Sequence, residues 1–369
     1  MRAMRTLLLL LLFSAPTEAQ WWKVQTSGLD TNLRGVSAAY VRDAKSAPVP
    51  VVWASGSNGV ILKSLDEGKT WKRLHVADGE KLDFRGIVAF DASTAYVMSS
   101  GEGEKSRIYK TTDGGNTWSL QYNDKRKEFF LDSIACFNDK LCFALGDPLD
   151  GKFLILTTED GEHWKPLPLD KMPAALPSEG AFAASNSCLA LVGENEIYFA
   201  TGGPAARVFH SPDGGRIWTA VETTIAHGKA SAGIFSIASR DGKTIVVVGG
   251  DYQDAKNAYG VAGYSLDEGK TWHVSAQQPG GFRSAVASLD SFTFFTVGPN
   301  GEEMSEDNGV HWKHTDSLNL NALAILDIHE GWAVGPNGTI AVFVNHLQYQ
   351  IRKSEPARGH PSLTSIVAR

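Results

Sequence analysis

The sequence is poor in cysteine, with three in 369 residues, and lacks the short motifs that mark several enzyme classes. It contains no HExxH metal motif, no GxSxG nucleophile turn, no Walker A loop, no strand–GxGxxG–helix unit and no CxxC pair. The ten histidines are scattered, without paired metal-ligand spacing. We therefore expect no metal and no cofactor. If the protein is an enzyme, its candidate catalytic groups are therefore carboxylates alone.

Basic runs and long apolar runs are also scarce. The formal net charge is −6, which argues against a nucleic-acid partner. One apolar run, residues 7–13, follows Arg2 and Arg5 and precedes small residues suited to cleavage. This arrangement predicts a signal peptide over 1–19 and an exported protein, periplasmic or secreted. No other run is long enough to span a membrane.

The last residues, 345–369, differ from the rest of the chain because they are locally basic and contain two prolines. They show no strand pattern, and we interpret them as a disordered tail. The alternative is a segment that docks a partner.

Two of the cysteines lie six residues apart, Cys136 and Cys142, between the apolar runs IACF and LCFAL. If these runs form a hairpin centred on Asp139, the two thiols face each other across the strands. A disulfide is one interpretation in an oxidising compartment, and two buried thiols are the other. Cys188 is expected to be buried.

One eight-residue phrase occurs six times, with the pattern Ser/Thr-x-Asp-x-Gly-x-x-Trp. Successive copies begin 47, 46, 54, 54 and 40 residues apart, which is the period of a β-propeller blade. In the third copy Glu159 occupies the Asp position. The copies are SLDEGKTW (64–71), TTDGGNTW (111–118), TTEDGEHW (157–164), SPDGGRIW (211–218), SLDEGKTW (265–272) and SEDNGVHW (305–312).

The composition of the phrase suits a turn between the third and fourth strands of a blade. Asp and Ser/Thr side chains bond nearby backbone groups, Gly allows positive φ, and the Trp packs between blades. A phrase that recurs once per blade indicates scaffolding, since an active site is usually single. We call this repeated turn the Asp-box. Its predicted structural residues are Asp66, Trp71, Asp113, Trp118, Trp164, Asp213, Trp218, Asp267, Trp272, Asp307 and Trp312.

A seventh set of strands lies at 320–344 but has no phrase and no fourth strand. The segment QWWKVQTSG at 20–28 resembles the fourth strands of the other repeats. We therefore predict an all-β, seven-bladed β-propeller of four-stranded blades over residues 20–344. The N-terminal strand would complete the last blade and leave no open edge.

The segments VVWASGSNGVILKSLDEGKTW and GWAVGPNGTIAVF resemble the photosystem II stability/assembly factor family. The resemblance covers about residues 20–344 and implies a seven-bladed propeller with a protein or peptide partner, such as a membrane-protein complex. Sialidases share the turn phrase (the BNR repeat), but they typically have six blades and an Arg-Ile-Pro segment. Here Arg34 and Arg85 are followed by Gly-Val and Gly-Ile.

Aligned first strands place Arg34, Arg85, Asp132 and Arg283 at equivalent positions at the channel mouth. The functional interpretation is a binding surface for anions, because guanidinium groups suit carboxylate or phosphate. The structural alternative is that the arginines pair with acids such as Asp132 and Glu179 and close the channel.

Long loops between second and third strands add further polar residues to the same face, namely Asp147, Asp150, Asp251, Tyr252 and Asp254. Clustered acids could act in glycoside hydrolysis or bind calcium, whereas Asp-Pro and Asp-Gly are also ordinary turn dipeptides. For an enzyme, the candidate catalytic residues are Asp132, Asp147, Glu179 and Asp251. The candidate binding residues are Arg34, Arg85, Arg283 and Tyr252.

Three functional hypotheses follow. The first is an exported, monomeric, non-enzymatic propeller that binds a protein or peptide on its arginine-bearing face, as an assembly or stability factor. The second is a glycan-active enzyme or a lectin-like propeller. In the third, the propeller is a bare scaffold and the basic tail holds the partner.

Overall fold

The computed structural model describes residues 21–41 and 49–343. The predicted signal peptide at 1–19 and the predicted tail at 345–369 lie outside these residues. Regular structure within them consists of β-strands and two short 3₁₀ helices, Gly103–Lys105 and Tyr252–Asp254. No helix in the described ranges is long and apolar enough to cross a membrane.

The strands form seven antiparallel sheets, the blades, arranged in chain order. Blade 1 contains β2 (Leu33–Val41), β3 (Val49–Gly56), β4 (Val60–Ser64) and β5 (Lys72–Leu74); blade 2 contains β6 (Phe84–Ala89), β7 (Ala95–Ser99), β8 (Arg107–Thr111) and β9 (Ser119–Asn123); blade 3 contains β10 (Leu131–Cys136), β11 (Cys142–Leu149), β12 (Lys152–Thr158) and β13 (Lys165–Pro166).

The remaining blades follow the same plan. Blade 4 contains β14 (Leu189–Val192), β15 (Glu196–Ala200), β17 (Arg207–Ser211) and β18 (Thr219–Glu222); blade 5 contains β19 (Lys229–Ser239), β20 (Ile245–Asp251), β21 (Ala262–Ser265) and β22 (His273–Val274), with β16 (Gly202–Gly203) added beside β19; blade 6 contains β23 (Ala285–Ser288), β24 (Phe294–Gly298), β25 (Gly301–Ser305) and β26 (Lys313–Asp316); blade 7 contains β27 (Ala322–Ile325), β28 (Gly331–Val334), β29 (Thr339–Phe343) and β1 (Trp22–Thr26).

In each blade the first strand lies innermost, in contact with the first strands of neighbouring blades. The middle strands are buried on both faces, as in β4 and β7, where every residue is buried. The fourth strands face solvent, and most residues of β5 and β9 are exposed or half-buried. This burial explains why the middle strands are continuous apolar runs in the sequence.

The N-terminal strand closes the ring. β1 pairs antiparallel with β29, with Trp22 opposite Phe343, and becomes the outer strand of blade 7. The predicted seven-bladed propeller, closed by its N-terminal strand, is therefore confirmed. Since both ends of the propeller meet in one sheet, blade 7 has no missing strand.

Seven apolar clusters in the described part of the chain lie between consecutive blades rather than within one blade. The tryptophan of each repeated turn packs into one of them; Trp71, for example, joins side chains of blades 1 and 7. The junction between blades 6 and 7 holds no turn tryptophan but contains Trp22. The N-terminal strand thus supplies the same ring to the closing blade.

The repeated turn is a hydrogen-bonded unit, shown by its first copy. The Ser64 hydroxyl donates to the Asp66 carboxylate at 2.7 Å and accepts the Gly68 N–H at 2.8 Å. Asp66 also accepts the backbone N–H and the hydroxyl of Thr70, at 2.8 and 2.6 Å. The Trp71 indole N–H donates to the Gly68 carbonyl at 3.0 Å, which fixes the ring against the turn.

Four more copies repeat this pattern of a hydroxyl, a carboxylate and a glycine N–H. Hydrogen bonds to the carboxylates lower the pKa of Asp66, Asp113 and Asp267 to about 2. The glycine lies at positive φ in each, for example 83° at Gly115. These copies centre on Asp113, Asp213, Asp267 and Asp307.

The third copy differs from its sequence alignment. The carboxylate of the turn is Asp160, not Glu159, since Asp160 accepts the Thr158 hydroxyl at 3.1 Å and the N–H groups of Glu162 and His163, each at 2.8 Å. Glu159 instead pairs with Lys165 in solvent. The turn is one residue tighter than the others, so the acid and its hydroxyl partner both shift by one position.

Cys136 and Cys142 are joined by a disulfide. They are directly opposite residues of the β10–β11 hairpin, as the sequence spacing suggested. Cys188 is a buried free thiol.

Candidate functional site

Four inner strands carry a β-bulge at the same place. The ladder register shifts at Arg34 in β2, at Arg85 in β6 and at Asp132 in β10. Phe235 in β19 occupies a fourth such position. A bulged residue is unpaired in the ladder and its side chain is re-aimed, which here directs all four side chains to one end of the channel.

These side chains line one cavity of about 500 Å³, which we call the mouth cavity. It brings together five residues selected from the sequence, namely Arg34, Arg85, Asp132, Asp147 and Tyr252. Its size is that of a small-ligand or peptide site. Its other walls are Phe130, Ala181, Phe182, Ala183, Ala184, Phe235, Phe282, Ser284 and Asn321.

One wall of the mouth cavity is aromatic. Phe182 and Phe235 stack with centroids 3.8 Å apart, and Phe282 meets Phe235 edge-on at 4.7 Å. Tyr252 meets Phe235 edge-on at 6.1 Å and is 51% exposed. The wall is an apolar surface with the Tyr252 phenol at its rim.

The two arginines converge on a single acceptor. Arg34 Nη2 and Arg85 Nη1 both donate to the Ala183 carbonyl, at 3.4 and 3.0 Å. Arg85 Nε also donates to Asp83 at 2.7 Å, whereas the buried Nε of Arg34 has no acceptor among the described residues. Burial lowers the pKa of Arg34 and nearby Arg85 lowers it further, while Asp83 raises it.

Asp132 is fully buried, and neither of its carboxylate oxygens has a hydrogen-bond partner among the described residues. Burial raises its pKa well above the usual value, and Asp147 raises it further, while Arg85 opposes both. Asp147 accepts the Ala181 N–H at 3.1 Å, and burial raises its pKa as well. The cavity therefore holds two acids with raised pKa values beside two guanidinium groups.

The connection between blades 3 and 4, residues 178–187, crosses the channel and was not identified from the sequence. Its Ala183 carbonyl holds the arginines of blades 1 and 2. Its Ser185 hydroxyl donates to a carbonyl of blade 6 at 2.7 Å, and Asn186 bonds the backbone of blade 3 at 2.8 and 3.0 Å. The connection lies outside the repeat, so periodicity carried no signal for it.

Arg283 does not join the other two arginines, contrary to the sequence alignment. It is fully buried and forms two 2.5 Å bonds to the Glu303 carboxylate and one of 2.6 Å to Asn300. Regular strand in blade 6 begins only at Ala285, so no bulge aims this residue into the mouth cavity. Arg283 therefore does not line the mouth cavity, and its guanidinium is engaged by Glu303 and Asn300.

Two of the four candidate catalytic acids lie elsewhere. Glu179 is buried beneath Arg207 in a hydrogen-bonded ion pair, and Asp251 accepts Lys229 at 2.8 Å. Neither lines the mouth cavity, and neither pairs with Arg34 or Arg85. In the described ranges no three His, Cys, Asp or Glu side chains form a group that could hold a metal ion.

A larger cavity, of about 880 Å³, lies between blades 3 and 4 on the side of the repeated turns. Of the residues named from the sequence it contains Asp213, whose carboxylate is engaged in its own turn, and Glu159, which pairs with Lys165. The mouth cavity is therefore the candidate site.

The fold and the site define a seven-bladed β-propeller with a polar, aromatic-walled cavity at one end of its channel. The chain belongs to the DUF6242 β-propeller domain family, whose family model matches residues 15–290. No curated protein matches the sequence.

Solved propellers share the fold at low sequence identity. A structure described as YCF48 bound to D1 peptide has a TM-score of 0.63 and 14% identity over 89% of this chain and 98% of its own. YCF48 from Cyanidioschyzon merolae gives 0.62 and 17% over 88% and 99%. The WD40 β-propeller domain of Doa1 gives 0.58 and 10% over 89% and 97%. The predicted resemblance to photosystem II assembly factors is thereby confirmed at the level of the fold.

Proposed function

We propose that this protein is a non-enzymatic propeller that binds a peptide or protein segment in the mouth cavity, and that it acts as an assembly or stability factor. The observation that carries the proposal is the pair of bulged arginines, Arg34 and Arg85, aimed into one aromatic-walled cavity. The solved YCF48 structure with a D1 peptide supports it, since a propeller of similar fold binds a peptide.

The chemistry of the cavity suits a carboxylate on that segment. The buried Nε–H of Arg34 has no acceptor among the described residues, and the guanidinium of Arg85 lies beside it. Carboxylates accept such donors in charge-assisted bonds, the strongest class of protein hydrogen bond. The aromatic wall offers apolar contact to the neighbouring part of the segment.

A displayed random peptide library tests the proposal. Selection on the wild-type protein should enrich peptides that contain an acidic residue, and Arg34→Ala with Arg85→Ala should weaken their binding by at least about tenfold. Arg73→Ala is the matched control, because Arg73 is exposed on β5, far from the channel. Equal binding of the enriched peptides to the double variant, or no enrichment at all, would contradict the proposal.

Export to an oxidising compartment belongs to the same proposal. The Cys136–Cys142 disulfide supports it, since disulfides persist mainly outside the cytosol. We expect protein recovered from the native compartment to begin at Gln20 and to resist thiol alkylation at both cysteines until it is reduced. An intact-mass measurement showing residues 1–19 still attached would contradict this part.

A glycoside hydrolase is the second candidate, favoured by Asp132 and Asp147 lining one cavity with raised pKa values. A protonated acid beside a second carboxyl is the arrangement used to cleave glycosidic bonds. Release of reducing sugar from a glycan panel, lost in Asp132→Asn and in Asp147→Asn, is the expected result for this candidate. Absence of turnover across the panel would exclude it.

A further inference from the structure

The mouth cavity contains a buried hydrogen-bond donor and two buried acceptors that lack partners. The Nε of Arg34 is a donor without an acceptor, and the two oxygens of Asp132 are acceptors without a donor, among the described residues. Buried polar groups are normally paired, and an unpaired one costs free energy. A ligand carboxylate can accept from the arginine, but it offers no hydrogen-bond donor to the oxygens of Asp132.

The groups around Asp132 determine which donors can reach its carboxyl group. Its charged or titratable neighbours are Arg85 of blade 2, Asp147 of the same blade and the buried thiol of Cys188. Arg85 is already engaged with Asp83 and the Ala183 carbonyl. Asp132 lines the mouth cavity, where a bound ligand would supply a donor.

We propose that the mouth cavity recognises a peptide segment carrying a basic side chain close to a carboxylate, with the basic group bonded to Asp132 and the carboxylate to Arg34 and Arg85. This inference rests on the proposed function and specifies its ligand. Asp132 supplies a second, acidic subsite in the same cavity.

Two features of the cavity favour a cation at this subsite. Asp147 places a second carboxyl near Asp132. Phe182, Phe235 and Phe282 line the same cavity, and aromatic rings attract ammonium and guanidinium groups. With about 500 Å³ available, both charged groups of a short peptide segment fit in one cavity.

Binding of the basic group has a proton signature. Burial raises the pKa of Asp132 in the free protein, and a cation bound beside its carboxyl group would lower that pKa and favour loss of the proton. The proton passes to solvent, so complex formation at pH 7 should release up to about one proton per peptide. A ligand that binds only through the arginines releases none from this group.

Parallel selections of one displayed random peptide library provide the test. The proteins are the wild type, Asp132→Asn, Arg34→Ala with Arg85→Ala, and Asp251→Asn. The last is an acid-to-amide control, because Asp251 pairs with Lys229 and does not line the mouth cavity. Each variant is first checked by thermal unfolding; Asp132→Asn should be at least as stable as wild type, since it removes a buried unpaired acid.

We expect wild-type and Asp251→Asn selections to enrich peptides with a basic and an acidic residue at fixed spacing. Asp132→Asn should lose the basic preference, keep the acidic one, and bind the wild-type peptides about 10- to 100-fold more weakly. Enrichment that depends on the arginines but has the same basic content in Asp132→Asn would overturn the inference and leave the proposed function standing. Enrichment independent of the arginines, or none, would remove both.

Titration calorimetry of the best synthetic peptide, in two buffers of different ionisation enthalpy, gives an independent readout. The wild type should release protons on binding, and Asp132→Asn should not. Equal proton release by both proteins would place the titrating group elsewhere and contradict the role of Asp132.

Discussion

At the residue scale, the local backbone decides whether an arginine faces the ligand or the interior. The motifs NLRG, DFRG and GFRS look equivalent in the sequence. Bulges at Arg34 and Arg85 turn those side chains into the channel, whereas Arg283 precedes its strand and pairs with Glu303. Strand alignment predicted the positions. It could not predict the difference, because neither a bulge nor a partner twenty residues away has a local sequence signal.

Glu302, next to Glu303 in β25, gives a prediction on pH. It is fully buried; burial raises its pKa to about 9, with Asp316 and Glu303 adding to the rise and Arg283 opposing it. In the unfolded chain a glutamic acid titrates near 4.3. The folded state therefore binds more protons between these two values, and stability should fall as pH rises from about 4.5 to about 9.

Glu302→Gln removes this titration while keeping the shape of the side chain. We expect the variant to be more stable than wild type by about 2 kcal/mol or more at pH 8, and the difference to shrink towards pH 4.5. Urea unfolding across this range measures it. A constant difference between the two proteins at every pH would show that Glu302 does not titrate as described.

At the element scale, the repeated turn was predictable because its chemistry is local. A hydroxyl, a carboxylate, a glycine and an indole within eight residues bond one another, so their spacing in the sequence records the structure. The exception is the tighter third turn, where Asp160 replaces the aligned Glu159. The third turn is one residue shorter between its hydroxyl and its glycine. The glycine and the tryptophan keep their aligned positions, so the sequence alignment does not reveal that the acid has moved by one residue.

The third turn provides a matched pair of substitutions. Asp160→Ala should lower the midpoint of thermal unfolding by roughly 2 °C or more, because three turn groups, the Thr158 hydroxyl and the N–H groups of Glu162 and His163, lose their shared acceptor. Glu159→Ala should leave the midpoint nearly unchanged, since its contact with Lys165 is solvent-exposed. Scanning calorimetry measures both midpoints. A larger decrease for Glu159→Ala than for Asp160→Ala would show that Glu159 is the acid of the turn.

The contribution of Asp160 to stability should depend on pH. Backbone and side-chain bonds from His163 hold the pKa of Asp160 far below its usual value. This contribution to stability is fully present above about pH 4 and is lost as pH falls through the folded pKa. Asp160 also raises the pKa of its partner His163. The destabilisation by Asp160→Ala should therefore be greatest near pH 5, decrease as His163 loses its proton at higher pH, and diminish again in strong acid.

At the scale of the whole molecule, the sequence predicted the number of blades and the closing strand because each blade repeats one pattern. The connection at 178–187 was missed, since a segment crossing the channel belongs to no repeat. Its bonds to blades 1, 2, 3 and 6 make the mouth cavity a property of the complete ring. Closure of the ring by β1 and the geometry of the site are therefore linked.

Trp22 allows that link to be tested. It is fully buried and meets Phe295 of blade 6 and Phe343 of blade 7 edge-on, at 6.3 and 5.5 Å. Trp22→Ala should cost about 3–5 kcal/mol of unfolding free energy, because it leaves a large cavity at the closing junction. Val24→Ala, on the same strand but 48% exposed, should cost less than about 0.5 kcal/mol.

Urea unfolding of both variants, with hydrogen exchange read blade by blade, decides between ring closure and a local attachment. If β1 closes the ring, Trp22→Ala should lower protection in every blade, including the inner strands β2, β6 and β10 that carry the bulged residues of the mouth cavity. If protection falls only in β1 and β29 while the global midpoint is unchanged, the strand is an appendage. In that case the geometry of the mouth cavity depends on the other blades alone.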